Sequence, residues 1–394
     1  MVVAYINGKM LTWARERAAF EIERLAKGSV TVEKLKAWEA GQDYPTQAQA
    51  IRLAEKLGIS YAMLFMPGVP PADNPPIPDL RTLSGQQLTS PSLEFRAVLN
   101  DTIIRQEWIR DERLERGAKP LSYVGRFALS SDPKAVAADM RHALCLEPED
   151  RMGCPDFEAF IRHLVVRSEA IGVLVMRSAI VGHDTHRRLQ VSEFRGFALC
   201  DDFAPVVFIN DADAKAAQVF TLAHELAHIW IGANGVSDRR PNQKNESANA
   251  IELFCDRVAA ELLVPEAEFS RAWKPGTTLS SARTAAAHFR VSTLVALRRA
   301  RDLGRISFDS FITAVDAEYA RFREIDSKKR EKQKEQEKRG GNFWASFEIR
   351  NGSTLNSAVV DALVNRRATF TEAATLLGVT IGSTIRYLRR VGAQ

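Results

Sequence analysis

Apolar residues recur at helical spacing along most of this chain, and they form short unbroken runs mainly in its middle third. Near the N-terminus, one helix is predicted to end close to Gly41. The next helix, capped by Thr46, keeps an apolar face until Gly58 stops it. Residues 1–67 are therefore predicted to form a small helical domain. A charged amphipathic helix is expected over about 93–116.

The middle of the chain changes pattern and predicts a mixture of strands and helices. Three apolar runs, at 172–176, 196–199 and 205–209, have the length and composition of buried strands. Two long helices follow, and the second is predicted from Ser247 to Leu263. The pattern indicates an α+β fold that is mostly helical, with a small antiparallel sheet in the central domain.

Proline-rich and charged stretches divide the chain into parts. Residues 68–90 carry several prolines and predict a stiff linker. Residues 327–339 mix lysine, arginine and glutamate, which is typical of either a solvated helix end or a flexible linker. The predicted parts are a helical domain (1–67), a linker with a helical connector (68–150), a mixed domain (151–275), a helical extension (276–326), a charged linker (327–341) and a C-terminal helical module (342–394).

Composition excludes several classes of protein. The chain has 394 residues, of which 45% are hydrophobic and 26% charged, as in a globular protein of several domains. No apolar run approaches the roughly 20 residues of a membrane span, and the first residues do not resemble a signal peptide. The four scattered cysteines fit a reducing cytoplasm. The net charge of +5 allows nucleic-acid binding without requiring it.

The strongest chemical signal is His-Glu-x-x-His at 224–228, inside an apolar helical run. His224 and His228 lie one turn apart on the same helix face, a spacing at which two imidazoles share one Zn²⁺ ion. Glu225 between them is placed to take a proton from a water on that metal. An apolar helix with three such groups needs partners for them, because burying them unpaired is costly. The motif therefore predicts a zinc-dependent hydrolase.

A catalytic zinc usually has a third protein ligand, and the next helix offers one. Glu252 is the favoured candidate, while Glu246 and Glu261 compete with it. Asp256 shares the helix face of Glu252 and is predicted to accept the free ring N–H of a ligand histidine. Cys255 is not interpreted as a nucleophile, because a cysteine in an apolar helix is usually a packing residue.

Several segments together resemble the ImmA/IrrE family of metallo-endopeptidases, over roughly residues 150–305. The resemblance rests on residues 193–198, 204–210, 220–228 and 252–265. It implies a zincin-like domain in which Glu252 is the third zinc ligand, followed four positions later by a small polar residue, here Asp256. It also implies a regulatory protease that cleaves a repressor or an antitoxin-like partner. By analogy of fold, an extended substrate would add as a strand beside the strand that ends at Asn210.

Two helical pairs resemble DNA-binding modules. Residues 11–66 are similar to an Xre-type helix-turn-helix domain, in which the helix before Trp38 would offer Lys34 and Lys36 to DNA. The alternative is a helical domain that binds protein instead. At the C-terminus, a turn at Gly378 is followed by a basic helix. Its Arg386 and Arg389 are candidates for a second DNA or partner contact.

These observations leave two functions open. The leading hypothesis is a cytoplasmic, regulatory zinc endopeptidase that cleaves one protein partner and also has DNA-binding helices. The alternative is an antitoxin or transcriptional regulator that binds DNA and a partner toxin, with its zinc domain serving as a binding surface. In this combination of parts, the chain resembles proteins of toxin–antitoxin-like modules, which implies pairing with a toxin. The sequence allows a homodimer and predicts no membrane association.

Overall fold

The computed structural model describes residues 2–18, 20–26, 30–70, 91–237, 246–274, 276–335 and 342–392. The proline-rich residues 71–90 and the end of the charged run, 336–341, lie outside the described residues. The chain divides into two compact units. Of the described residues, those up to Asp101 belong to the first unit and those from Thr102 onward to the second.

The first unit is built from short helices around the buried Trp38 and Leu35. Its elements are α1 (Gly8–Arg17), α2 (Ile22–Leu25), α3 (Val32–Glu39), α4 (Gln47–Leu57), a 3₁₀ turn (Tyr61–Phe65) and the start of α5 (Leu93–Glu115). The predicted boundaries of α4 are confirmed: Thr46 and Gln49 form a capping box at its start, and Gly58 ends it with φ +63°.

The second unit contains a sheet surrounded by helices. Its elements after α5 are α6 (Pro133–Ala143), α7 (Pro148–Gly153), α8 (Phe157–Ala170), β1 (Leu174–Ser178), β2 (Ile180–Val181), β3 (Asp184–Arg188), β4 (Gly196–Leu199), β5 (Val206–Asn210), α9 (Lys215–Ile231), β6 (Gly235–Ser237), α10 (Glu246–Leu263), α11 (Glu266–Ala272), α12 (Thr278–Phe289), α13 (Thr293–Asp302), α14 (Phe308–Glu335), α15 (Phe343–Asn351), α16 (Ser353–Val364), α17 (Phe370–Leu377) and α18 (Ile381–Arg390). Among the described helices, none combines the length and apolar character needed to cross a membrane.

The main sheet has the strand order β1-β5-β4-β6, and β2 and β3 form a separate hairpin. The prediction of an antiparallel sheet is wrong for one pair, because β1 and β5 run parallel, with Leu174 beside Val206. The expectation that a substrate strand adds beside β5 is also wrong. β5 is already paired with β1 on one side and β4 on the other, so its backbone groups are occupied.

Helix α9 is the centre of the second unit. It packs on β4 and β5 and against α8 and α10, and its apolar residues, such as Leu226 and Trp230, are fully buried. A helix that is apolar on all faces is expected in such a place. Gly232 ends it with φ +67°. Helix α9 therefore lies in the interior of the second unit, between the sheet and α10.

The helical extension and the charged run form continuous helices. The extension consists of α12, α13 and α14, and α14 continues through the charged run as far as Glu335. Of the two interpretations of that run, the helical one therefore holds up to this residue.

The C-terminal module packs on β1 and on α5 within the second unit. Gly352 lies so close to β1 that a Cβ atom there would come within 2.5 Å of the carbonyl oxygen of Val175. Beside it, the carboxylate of Glu169 accepts hydrogen bonds from the Ser353 hydroxyl and from the backbone N–H of Thr354. The start of α16 is therefore fixed to the end of α8 and to the edge of the sheet.

Candidate metal centre

Two helices bring together the His, His and Glu side chains that the sequence singles out. His224 and His228 lie on α9, one turn apart, and Glu252 projects from α10, the helix that packs against it. Both histidines are buried, and the Glu252 side chain keeps a minor exposed fraction. Among the described residues, these three form the one group of His, Cys, Asp and Glu side chains close enough to hold a metal ion.

The distances between the three side chains fit a zinc ion. Nε2 of His224 lies 3.0 Å from Oε2 of Glu252, and Nε2 of His228 lies 3.2 Å from Oε1. The two Nε2 atoms are 3.2 Å apart. Ligand atoms about 2.0–2.1 Å from a tetrahedral zinc ion lie about 3.3 Å from one another. The three atoms therefore have the spacing expected of three ligands in a zinc coordination shell.

The groups behind the two rings determine which nitrogen faces the site. Nδ1 of His224 donates to Oδ1 of Asp256 at 3.1 Å, and Nδ1 of His228 donates to the carbonyl oxygen of Ala233 at 3.2 Å. Each neutral ring then presents an Nε2 lone pair to the carboxylate of Glu252. Two lone pairs and a carboxylate in contact repel one another unless a cation lies between them. A Zn²⁺ ion bound by all three groups would remove this repulsion.

The charges of these groups shift their pKa values in opposite directions. Burial favours a neutral His224, but Glu252 and Asp256 outweigh burial and raise the pKa of His224 to about 10. Burial also disfavours an ionised Glu252, but the neighbouring His224 outweighs it and lowers the pKa of Glu252 to about 2. In the protein without metal, a proton on His224 therefore supplies the positive charge that the cluster requires.

Glu225 is completely buried beside a close approach between helix and sheet. A Cβ atom on Gly196 of β4 would come within 2.7 Å of Cγ2 of Thr221 and 3.2 Å of Oε1 of Glu225. Glycine is therefore required here for space, so that α9 can lie directly on β4. This contact fixes the Glu225 carboxylate one position from a candidate metal ligand.

Of the two other candidates for the third ligand, Glu261 and Glu246, only Glu261 has a described side chain. The carboxylate of Glu261 forms an ion pair with Arg299 and accepts the backbone N–H of Glu266, so it stabilises the junction of α10 with α11 and α13. The side chain of Glu246 lies outside the described residues. The carboxylate of Glu252, by contrast, lies within 3.2 Å of both histidines.

The cysteines near the centre are not suited to nucleophilic chemistry. Cys255 is fully buried, and burial raises the pKa of its thiol well above the ordinary value. Burial and the nearby Glu225 raise the pKa of Cys200 to about 12. Both therefore remain thiols near neutral pH, which agrees with the interpretation of Cys255 as a packing residue.

Three further histidines of the second unit, His183, His186 and His288, lie away from the metal centre. His183 faces the rings of Phe343 and Phe347, and His288 packs edge-on against Phe289. His186 is exposed on β3. These contacts give none of the three a place in the metal cluster.

The candidate DNA-contacting residues are all exposed. Lys34 and Lys36 lie on α3 of the first unit, and Arg386 and Arg389 lie on α18 of the second. Arg15 on α1 pairs with Glu39 at 2.6 Å and so joins α1 to α3.

Sequence reasoning missed two contributors to the centre. Arg298 on α13 pairs with Oδ2 of Asp256 at 2.9 Å, and the carbonyl of Ala233 holds His228. A basic residue in the second helix of the extension was visible in the sequence, but nothing local linked it to α10. Any residue type at position 233 would supply the same backbone carbonyl group, so the sequence could not indicate the contact of Ala233 with His228.

A buried helix that carries two histidines and a glutamate, faced by a candidate third ligand from the next helix, is an arrangement typical of zinc metallopeptidases. Residues 168–301 match the family model Peptidase_M78, described as the IrrE N-terminal-like domain. The match covers the sheet, the metal centre and Arg298, and it supports a relationship to the zinc-dependent ImmA/IrrE metallopeptidases. No curated protein matches the chain.

Proposed function

We propose that this chain is a regulatory zinc-dependent endopeptidase of the cytoplasm that cleaves one specific protein partner, a repressor or a component of a toxin–antitoxin pair. The observation that carries the proposal is the closed triangle of His224, His228 and Glu252 next to the buried Glu225. A purely structural histidine pair would not need a glutamate of this kind in the middle of α9. The arrangement supports a hydrolytic role for the site.

A bound Zn²⁺ ion would polarise the scissile carbonyl and acidify the attacking water. Glu225 takes a proton from that water as its oxygen adds to the carbonyl carbon, and it delivers the proton to the leaving nitrogen as the C–N bond breaks. Burial of Glu225 against Gly196 keeps its carboxylate in one orientation for both transfers. Asp256 and Ala233 keep the two histidine rings in the tautomer that binds metal.

The parts outside the matched segment support a regulatory role. The segments that precede residue 168 and follow residue 301 account for well over half of the chain, and their described elements are helices. Such additions are a means of selecting one partner rather than digesting many proteins. The four cysteines are unpaired, as is usual for a protein of a reducing compartment.

Replacing one carboxylate tests the proposal. Glu225→Gln keeps the shape of the side chain and leaves the three ligands intact, so the variant should bind one zinc per chain and keep its fold. Cleavage of a co-expressed partner, for which the product of the neighbouring gene is the first candidate, should fall by about 100-fold or more. Glu348→Gln, an exposed carboxylate on α15, is the matched control. Undiminished cleavage by Glu225→Gln would show that the site is not a peptidase.

A second candidate function is favoured by exposed basic side chains on capped helices. Lys34 and Lys36 project from α3, whose start is capped by Thr31, and this is consistent with DNA binding by the first unit. In this alternative the chain is an antitoxin or transcriptional regulator, and the zinc domain is a binding surface. The chain should then shift its own promoter DNA, with an affinity that falls steeply as salt rises. A shift that survives Lys34→Glu and Lys36→Glu unchanged would exclude α3 as the DNA contact.

A further inference from the structure

A stripe of exposed apolar side chains follows one face of α14. Its four most exposed members are Phe308 (63%), Ile312 (41%), Tyr319 (48%) and Phe322 (39%). Half-buried Val315 lies between them. We call these five residues the α14 stripe. It spans 15 residues, or about 21 Å of helix, and large aromatic side chains make up most of it. Exposed apolar surface that is continuous in this way marks an interaction site.

The neighbouring face of α14 is already used within the second unit. Phe311 and Ala314 pack into the main core, which the half-buried Val315 of the stripe also contacts on its inner side. The fully buried carboxylate of Glu318 pairs with Arg283 at 2.8 Å. The helix is therefore held by α12 and α13 along its first half. These contacts determine which side of α14 faces outward, so the stripe is the outer face of a helix that is held in place.

The spacing of the stripe is that of a coiled-coil seam. Its members are separated by four, three, four and three residues, the alternation that keeps apolar side chains facing a partner helix. The same alternation is obtained when the stripe is read in the reverse direction. A second α14 in antiparallel orientation therefore offers a matching set of four side chains, with Ile312 facing Phe322 and Val315 facing Tyr319, while Phe308 lies beyond these pairs at each end.

Charge along the stripe favours the same partner. Asp309 and Arg323 are exposed, lie two heptads apart on one flank of the stripe, and make no ion pair within the part of the chain that the structure describes. In an antiparallel pair, residues at this heptad position face each other across the seam. Asp309 of one copy then meets Arg323 of the other, and the two-fold axis repeats the pair.

We propose that this chain forms a homodimer through an antiparallel pairing of two α14 stripes. The contact is isologous, so it closes on two copies and generates no filament. It does not depend on the zinc centre. A dimer carries two first units, which is the arrangement that a two-fold symmetric protein or DNA partner matches.

Sedimentation of the full chain and two charge insertions test the apolar seam. The wild type should sediment as a dimer at micromolar concentration. Tyr319→Glu should raise the dimer dissociation constant by about tenfold or more. Ala317→Glu places the same charge on an exposed position away from the stripe and should leave the dimer intact. Circular dichroism should show equal helix content in all three. A monomeric wild type, or equal weakening by both variants, would overturn the proposal.

A charge exchange tests the orientation and the identity of the partner. Asp309→Arg and Arg323→Asp should each weaken the dimer, because each leaves like charges facing one another twice. The double variant should recover the wild-type dissociation constant to within about threefold, because the pair is restored with its signs reversed. Asp316→Asn should strengthen the dimer, because two copies of Asp316 meet at the axis. A double variant that stays as weak as the single variants would overturn the antiparallel contact.

Discussion

Nη1 of Arg298 lies 2.9 Å from Oδ2 of Asp256. The other oxygen of Asp256 accepts the Nδ1 proton of His224, whose Nε2 faces the metal position. A side chain of α13 is thus connected through α10 to His224, a candidate zinc ligand on α9. Because a carboxylate held at both oxygens cannot rotate, this contact determines the orientation of the His224 ring.

Asp256→Ala should weaken zinc binding. The variant removes the acceptor that holds His224 in the metal-binding tautomer, so zinc affinity should fall by about 10- to 100-fold, as is typical when such a partner is lost. Competition with a chromogenic chelator measures the affinity without requiring peptidase activity. The control is Asp184→Ala, which removes an exposed aspartate on β3. Equal zinc affinity in wild type and Asp256→Ala would mean that Asp256 does not position the ring.

Arg298→Met should produce a smaller loss of the same kind. The methionine keeps the packing of the aliphatic stem but removes the ion pair with Asp256, and the Arg298 side chain is 42% exposed, which screens the interaction. Zinc affinity should fall by about threefold to tenfold, and Arg298→Lys should recover part of it. In an Asp256→Ala background, Arg298→Met should have little further effect, because the two act through one contact. An additive loss would contradict that connection.

Zinc binding should release a proton near neutral pH. With its pKa at about 10, His224 is protonated at pH 7 when no metal is present, and the metal requires its Nε2 lone pair. Zinc affinity should therefore rise with pH, by about tenfold per unit while the pH stays below that pKa. Titration calorimetry in buffers of different ionisation enthalpy counts the protons. Zinc binding to Glu225→Gln should release the same number of protons as zinc binding to the wild type. A binding enthalpy that does not depend on the buffer would show that His224 is neutral before zinc binds.

Much of the local structure was predictable from the sequence. The ends of α4, the start of α5 and the strands β4 and β5 follow from caps, glycines and apolar runs, which act over a few residues. His224, Glu225 and His228 were predictable for the same reason, since one helix contains them all. The choice of Glu252 needed the additional argument that the next helix packs against α9.

The remaining features depend on contacts between distant parts of the chain. The parallel pairing of β1 with β5 places β5 inside the sheet, and no property of either strand alone distinguishes this from an antiparallel edge. Arg298 reaches Asp256 only because α13 packs near α10. The α14 stripe was likewise hidden, because helical spacing of apolar residues does not tell a buried face from an exposed one.

Gly196→Ala should destabilise the second unit and disturb Glu225. The added methyl group would lie 2.7 Å from Cγ2 of Thr221 and 2.9 Å from the carbonyl oxygen of Phe208, so α9 must move away from β4. The expected cost is about 1–3 kcal/mol, measured by urea denaturation. Gly382→Ala is the matched control. A Cβ atom at Gly382 meets nothing within 4 Å, and alanine there should stabilise α18 slightly. Equal effects of the two substitutions would contradict the close approach.

Stability should fall in mild acid because of His183, which lies in the turn of the β2–β3 hairpin and packs against Phe343 and Phe347 of α15. Burial and the neighbouring Arg350 and Arg105 lower the pKa of His183 to about 4, from an ordinary value of 6.5. Below about 6.5 the unfolded chain binds a proton that the folded chain does not. The free energy of unfolding should therefore decrease as the pH falls from 6.5 towards 4, and this contribution should be constant above 6.5.

His183→Gln keeps an acceptor for the hydrogen bond from Arg350 but does not titrate. Urea midpoints of the two proteins should change differently between about pH 7 and about pH 5, with the wild type losing more. Parallel pH profiles would show that His183 is not held neutral against α15.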